Sequence, residues 1–294
     1  MMKRALIAAL FATLAGGSAV QAQTVETDIA YGPRERNRLD LYLPADATAA
    51  PVVLFIHGGR WFRNGKDQIQ LYDRVTLLNQ AGIAVASMDH TYSSEATWPA
   101  QKEDVAAALN FLSDAGAGLG VDPSRLAVWG QSSGAHLALW AGILAAEGKA
   151  PAIATVIAWY APSNLYELAG DRLADEVPGG NERFPEPTPE SLLLGVPVPE
   201  NKAAADAASP ERRIADLPEA ASYPPLLLMH GDADFVVSPL QSRRLYETLK
   251  ARNPEAEVTF RLVDGGEHGG EAFGPVVPEV VTFLKAHLEN RSGQ

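Results

Sequence analysis

The strongest constraint on this chain is a set of short apolar runs that do not alternate with polar residues. They are PVVLFIHGG (51–59), AGIAVASMD (81–89), SRLAVWG (124–130), AIATVIAWYA (152–161), PPLLLMHGD (224–232) and AEVTFRLVDG (256–265). A strand with one wet face alternates; a strand that is apolar almost throughout is covered on both faces. Between the runs lie helical patterns. PAQKEDVAAALNFLSD (99–114) sets Val105, Leu109 and Leu112 on one face, 132–147 is rich in alanine and leucine, and 239–252 and 279–289 are amphipathic. Strand and helix in alternation predict a mostly parallel central sheet with helices on both faces. TVETDIAYG (24–32) and RLDLYLP (38–44) do alternate, which predicts an antiparallel hairpin at one edge. Residues 162–222 break the rhythm with proline, acid and alanine and only weak helical patches such as ESLLLG (190–195). They read as a short irregular cap excursion within a single α/β domain over 23–294.

The chain opens MMKRALIAALFATLAGGSAVQAQT. Lys3 and Arg4 precede an apolar run from Ala5 to Ala15, and Val20 and Ala22 have the spacing a signal peptidase accepts. A signal peptide over 1–22, cleaved after Ala22, predicts export to the periplasm or medium. The run is too short to span a bilayer comfortably, and no later segment is long and apolar enough to do so. There is no cysteine, so disulfides, a thiolate nucleophile and cysteine metal ligands are excluded. The formal charge is −12; loss of Lys3 and Arg4 leaves 22 basic against 36 acidic side chains, about −14. That argues against nucleic acid and acidic membrane surfaces as partners.

Four stretches carry chemistry. Gly130-Gln131-Ser132-Ser133-Gly134 follows a predicted strand and opens a predicted helix, the context in which G-x-S-x-G exposes its central serine on a strained turn. Ser132 is therefore the candidate nucleophile, and Ser133 offers a backbone N–H to an oxyanion. A serine hydroxyl needs a base, and the base needs an orienting acid. His268, in DGGEHGG between the last predicted strand and helix, is the candidate base. In HGDADFVV, Asp234 is preferred as the orienting acid, and Asp232 is expected to brace its own turn. Asp264 and Glu267 are weaker rivals. In His57-Gly58-Gly59-Arg60-Trp61, consecutive glycines let backbone N–H groups approach a substrate oxygen, so Gly58 and Gly59 join Ser133 as oxyanion donors. Arg60, Trp61, Phe62 and the excursion are expected to line the pocket. Among the other histidines, His136 should pack behind the turn, His57 and His230 should tie down loops, His287 should be surface, and His90 is ambiguous. No pair shows metal spacing and no nucleotide-binding motif occurs, so neither metal nor cofactor is expected.

In this order these residues resemble the serine α/β-hydrolases. HGGRWFRNGKD, WPAQKEDVAAALNFL, GQSSGAHLALWAG, HGDADFVVSPLQSRRLYETL and GGEHGGEAF are similar to the acetyl-esterase and feruloyl-esterase-like (BD-FAE-like) branch. The resemblance implies an α/β-hydrolase fold, a Ser132–His268–Asp234 triad and an oxyanion hole from the HGG loop. It also implies hydrolysis of short acyl or aryl carboxylic esters, including acetyl or feruloyl groups on carbohydrates. One departure stands out: where hormone-sensitive-lipase-like esterases have a third glycine, this chain has Arg60. HGGRW instead resembles the H-G-G-x-W of kynurenine formamidases, so arylformamide hydrolysis is the alternative, against which the export signal weighs. A peptidase would need a gating domain for which the chain has no room, and a purely binding role would fit better with a missing triad residue.

Overall fold

The structure is a computed structural model that describes residues 24–45, 47–175, 177 and 186–289. The expected signal peptide and its cleavage after Ala22 lie outside the described residues. In chain order the sheet and its covering run β1 (Thr24–Ala30), β2 (Arg38–Leu43), β3 (Ala50–Ile56), α1 (Arg74–Gln80), β4 (Ala84–Met88), α2 (Ala100–Ala115), β5 (Val121–Gln131), α3 (Ser133–Ala146) and β6 (Val156–Trp159). The excursion follows with α4 (Leu168–Ala174), α5 (Pro189–Leu194), α6 (Lys202–Ala208) and α7 (Pro210–Ala215). The chain then returns through β7 (Leu226–Gly231), α8 (Pro239–Arg252), β8 (Val258–Val263) and α9 (Val277–Glu289).

The eight strands form one sheet in the order β1-β2-β4-β3-β5-β6-β7-β8. β1 and β2 make the expected antiparallel edge hairpin, β2 pairs antiparallel with β4, and the remaining pairs are parallel. Side chains on a strand alternate between faces, and in the central strands both faces are dry, whereas the edge strand β1 is exposed along most of its length. Val52, Leu54 and Ile56 of β3 enter one core with α2, α3 and α8. Val53 and Phe55 enter a second core with Val75 and Leu78 of α1 and with Val277, Val280 and Leu284 of α9. This is why the strand sequences carry no polar alternation. β8 departs from the pattern because it lies at the sheet's edge, where its residues are only half covered and Leu262 is exposed.

One strand falls short of its apolar run. The run at 152–161 forms a strand only over Val156–Trp159, because Tyr160 takes φ 41° and turns the chain out of the sheet. Residues 66–80, which carried no clear pattern, hold a 3-10 segment and α1, joined through Tyr72 and Asp73 at φ 60° and 54°. The excursion is more ordered than its composition suggests. Leu193, Val198, Ala205, Ala208, Ile214 and Leu217 are buried in the same core as α2 and α3.

Candidate active site

The carboxyl ends of the parallel strands converge at one edge of the sheet, the side on which open α/β sheets build their sites. Ser132 sits where β5 meets α3, with φ 54° and ψ −126°. Its N–H donates to the Trp159 carbonyl at 2.9 Å, and its carbonyl accepts from Ala135 and His136. The flanking glycines make this turn possible by close approach. A Cβ on Gly130 would lie 2.1 Å from the Gly134 carbonyl oxygen, and a Cβ on Gly134 would lie 2.1 Å from that of Ile56. The turn is thus wedged between its own helix and β3. Ser132 is half-buried and faces the cavity, whereas the Ser133 hydroxyl is buried with no hydrogen-bond partner. Of the two serines, only Ser132 is positioned to react.

His268, in the loop after β8, reaches both neighbours. Its Nδ1–H donates to Asp234 Oδ2 at 2.8 Å, and its Nε2 accepts from Ser132 Oγ at 2.8 Å. The loops that carry acid and base are clamped together. The Ala233 N–H donates to the Gly266 carbonyl, and a Cβ on Gly231 would lie 2.0 Å from that oxygen. The fully buried Asp234 spends its other oxygen, Oδ1, on the N–H groups of Val236 and Val237 at 2.8 and 3.0 Å. Asp234 therefore braces the turn itself; the expected bracing by the Asp232 side chain does not occur, and Asp232 is exposed. His230 supports the loop from below, its Nε2–H donating to the Val237 carbonyl and its Nδ1 accepting from Ser242. Burial alone would raise the Asp234 carboxyl, but the charge of His268 and the hydrogen bonds from His230 and His268 outweigh it. They hold Asp234 well below the usual carboxylate range. It stays an acceptor-only carboxylate, which fixes the proton of His268 on Nδ1.

The HGG loop after β3 lies against this turn: a Cβ on Gly58 would be 2.9 Å from the Gln131 carbonyl oxygen. Its expected role needs one correction. The Gly58 N–H donates to Gln68 Oε1 at 2.8 Å and is engaged. The amides of Gly59 and Ser133 donate to no described group and remain for an oxyanion. Gly59 is obligatory for shape, with φ 128° and a Cβ position 2.0 Å from the Arg63 carbonyl oxygen.

Two cavities meet at Ser132. One, of about 340 Å³, lies on the His268 side and has mixed walls, the polar side chains of Arg60, Arg63, Asn64, Gln68 and Glu267 facing Tyr160, Phe235 and Val236. The other, of about 20 Å³, lies on the Ser133 side between Trp61, Leu168 and Pro189, and has room for one water-sized or methyl-sized group. Arg60 borders both. Trp61 borders only the smaller and is itself 3% exposed, its indole N–H donating to His136 Nδ1 at 3.3 Å. Phe62, expected beside it, borders neither. The excursion closes the smaller chamber through Leu168, Arg172, Pro189 and Glu190. Arg172 is buried there against Glu190 at 3.0 Å and donates through Nε to the Val236 carbonyl, so the cap is tied to the acid's loop.

The remaining histidines are structural. His136 packs behind the turn as expected, its Nε2–H donating to the Ala208 carbonyl of the cap. Burial lowers it to about 4. His57 bonds the Gly58 carbonyl and stacks on His90 with ring centres 4.4 Å apart; burial lowers them to about 4 and about 3. His287 pairs with Glu257 on the outside of α9. Among the described residues no group of side chains could hold a metal ion.

Three residues at the site carried no sequence signal: Gln68, Tyr160 and Arg74. The Tyr160 ring lies 4.7 Å from that of His268. Beneath it Arg74, fully buried, sits among Trp159, Trp129, Tyr72 and Phe55 at 4.8 to 5.2 Å from the ring centres. Burial lowers its guanidinium to about 10, so it keeps its charge at neutral pH. Only the positive φ of Tyr160, visible as the abrupt WYAP end of an apolar run, leaves any trace in the sequence.

The profile of the BD-FAE family matches residues 39–249. The chain belongs to the BD-FAE family. The match runs from β2 through α8 and takes in the HGG loop, the serine turn and Asp234. Among curated proteins the chain is 30% identical over 258 residues to an isoprenylcysteine alpha-carbonyl methylesterase of Arabidopsis thaliana, covering 84% of this chain and 57% of that one. It is 30% identical over 259 residues to esterase LipQ of Mycobacterium tuberculosis, with the same coverage. The chain thus spans little more than half the length of these relatives. Among solved structures it is similar to a truncated carbohydrate esterase from gut microbiota, with a TM-score of 0.76, 26% identity and coverage of 90% of this chain and 96% of that one. The α/β-hydrolase fold expected from the sequence is that of this BD-FAE member.

Proposed function

We propose that the protein is an exported serine esterase that removes small acyl groups, acetyl above all, from polar alcohols such as carbohydrates. The observation that carries the reading is the unbroken chain from Asp234 Oδ2 through His268 to Ser132 Oγ, each link 2.8 Å, at the junction of a small and a large cavity. Ser132 Oγ attacks the ester carbonyl while His268 Nε2 takes its proton, and the imidazolium keeps its Nδ1–H on Asp234. The carbonyl oxygen becomes an oxyanion held by the amides of Gly59 and Ser133. The carbon–oxygen bond to the alcohol then breaks, and Nε2 returns the proton to the departing oxygen. Water, giving its proton to Nε2, attacks the acyl-enzyme; the acid leaves and Ser132 regains its proton.

Because His268 protonates the leaving group, the alcohol belongs in the larger cavity beside it, and the acyl group in the chamber beside Ser133. A chamber of about 20 Å³ favours acetyl over longer chains. The names of the methylesterase, LipQ and carbohydrate esterase relatives support ester hydrolysis, and the basic and apolar start of the chain supports export. The test is hydrolysis of p-nitrophenyl acetate and butyrate by the mature protein. Acetate should be preferred, Ser132→Ala should lose about a million-fold in kcat, and Ser133→Ala, which removes a buried hydroxyl and keeps the amide, should retain most activity. Full activity in Ser132→Ala would sink the mechanism. A formyl group also fits the small chamber, so N-formylkynurenine is the second substrate. A higher kcat/KM on it than on aryl acetates would move the reading to arylformamide hydrolysis.

A further inference from the structure

Among the described residues, the cavity beside His268 runs against the charge balance of the chain around it. The sequence carries 36 acidic against 24 basic residues. Yet among the described residues the charged walls of the cavity beside His268 are Arg60 and Arg63 against Glu267. Arg63 is exposed, and while its backbone N–H donates to the Gly59 carbonyl, its guanidinium makes no hydrogen bond or ion pair with any described residue. Its charge is directed at the cavity without being consumed by the fold. Arg60, one turn of the loop away, is partly buried, and burial together with the repulsion of Arg63 lowers its guanidinium. A guanidinium offers a carboxylate two parallel N–H donors, and Arg63 presents one at the cavity wall. Asn64 and Gln68 stand in the same wall as neutral hydrogen-bonding groups suited to hydroxyls.

We propose that the alcohol part of the substrate carries a carboxylate, as in an O-acetylated acidic sugar, and that Arg63, with Arg60, binds it. The proposal rests on the esterase reading and on the alcohol occupying the cavity beside His268. Glu267, unpaired among the described residues, stands in the same cavity and works against the anion.

A matched pair of probes tests it: a monoacetate of methyl galacturonoside and the corresponding monoacetate of methyl galactoside, which differ only in a carboxylate against a hydroxymethyl. At low ionic strength the wild type should favour the acidic acetate by about tenfold in kcat/KM, and salt should erode the preference. Arg63→Gln should bring the ratio to near one, Arg63→Glu should invert it, and Glu267→Gln should raise it. A wild type that hydrolyses both acetates equally, or a preference that survives Arg63→Gln, overturns the proposal and leaves the esterase reading standing. If neither acetate nor p-nitrophenyl acetate is hydrolysed, the esterase reading fails on its own. Calorimetric titration of Ser132→Ala with methyl galacturonoside and methyl galactoside still decides the subsite. Tighter binding of the acid that is lost in the Ser132→Ala, Arg63→Gln double variant sustains it; equal binding overturns it.

Discussion

The serine turn and the cap hold the same chamber from opposite sides and by opposite means. The turn is fixed by backbone against backbone: Gly130, Gly134 and Gly58 each sit where a single added carbon would strike a carbonyl. No polar side chain holds it. The cap buries its own apolar side chains in the core it shares with α2 and α3, and above that core it is tied down by polar side chains. Arg172 joins Glu190 and Val236, Asn164 joins Glu211, and Gln241 bonds Asp171 and the N–H groups of Ser163 and Asn164. Steric fixation leaves one permitted sequence; polar fixation permits many, provided that each buried group keeps a partner. The nucleophile is therefore held by the part of the molecule least able to vary, and acyl selectivity by the part most able to.

The largest effect expected from this contrast is in the turn. Gly134→Ala forces a methyl group onto the Ile56 and His57 carbonyls, so ester hydrolysis should fall to background and stability by about 3 kcal/mol. Thermal melts beside turnover would check it, and an active, stable Gly134→Ala would break the comparison. In the cap, Glu190→Gln removes one charge of a buried pair without changing its shape. It should cost about 2 kcal/mol and leave a folded enzyme whose preference for acetate over butyrate is reduced several-fold, read as the ratio of kcat/KM values. Loss of all activity would show the cap to be as exacting as the turn.

The junction between the two regions gives the most gradual effect. His136 accepts from Trp61 and donates to the cap's Ala208 carbonyl only while neutral. In the fold, burial lowers His57, His90 and His136 to about 4, 3 and 4, against about 6.5 in an unfolded chain. The unfolded state therefore binds more protons below that value. Stability should be constant above pH 7 and decline steadily as pH falls from about 6.5 toward 4. Urea midpoints across that range measure it, and His136→Asn should flatten part of the slope.

The regions also differ in how far they could be read from sequence. The strands, the hairpin, the helices α2, α3, α8 and α9, and the joining of Ser132, Asp234 and His268 were all legible. In each of these places local pattern and tertiary role coincide: a doubly covered strand must be apolar, and a tight turn must have its glycines. α1 was not legible, because RVTLLNQ is short, holds two β-branched residues and follows two residues at positive φ. The cap helices were hidden because partners distant in sequence stabilise them, not their own periodicity. Gln68 was missed for the same reason: nothing local shows that its amide oxygen will capture the N–H of Gly58 and withdraw it from the oxyanion hole.

The buried guanidinium of Arg74 has a consequence for observing the molecule at work. It lies 4.9 and 4.8 Å from the ring centres of Trp129 and Trp159, two fully buried indoles whose N–H groups have no hydrogen-bond partner among the described residues. The backbone of Trp159 carries the Ser132 N–H. A fixed cation beside two buried fluorophores, one of them on the residue whose backbone carbonyl accepts from the reacting serine, is an optical gauge built into the floor of the site. Acylation of Ser132 should register as a change in tryptophan emission, so the formation and decay of the intermediate can be timed in stopped flow without a chromogenic substrate.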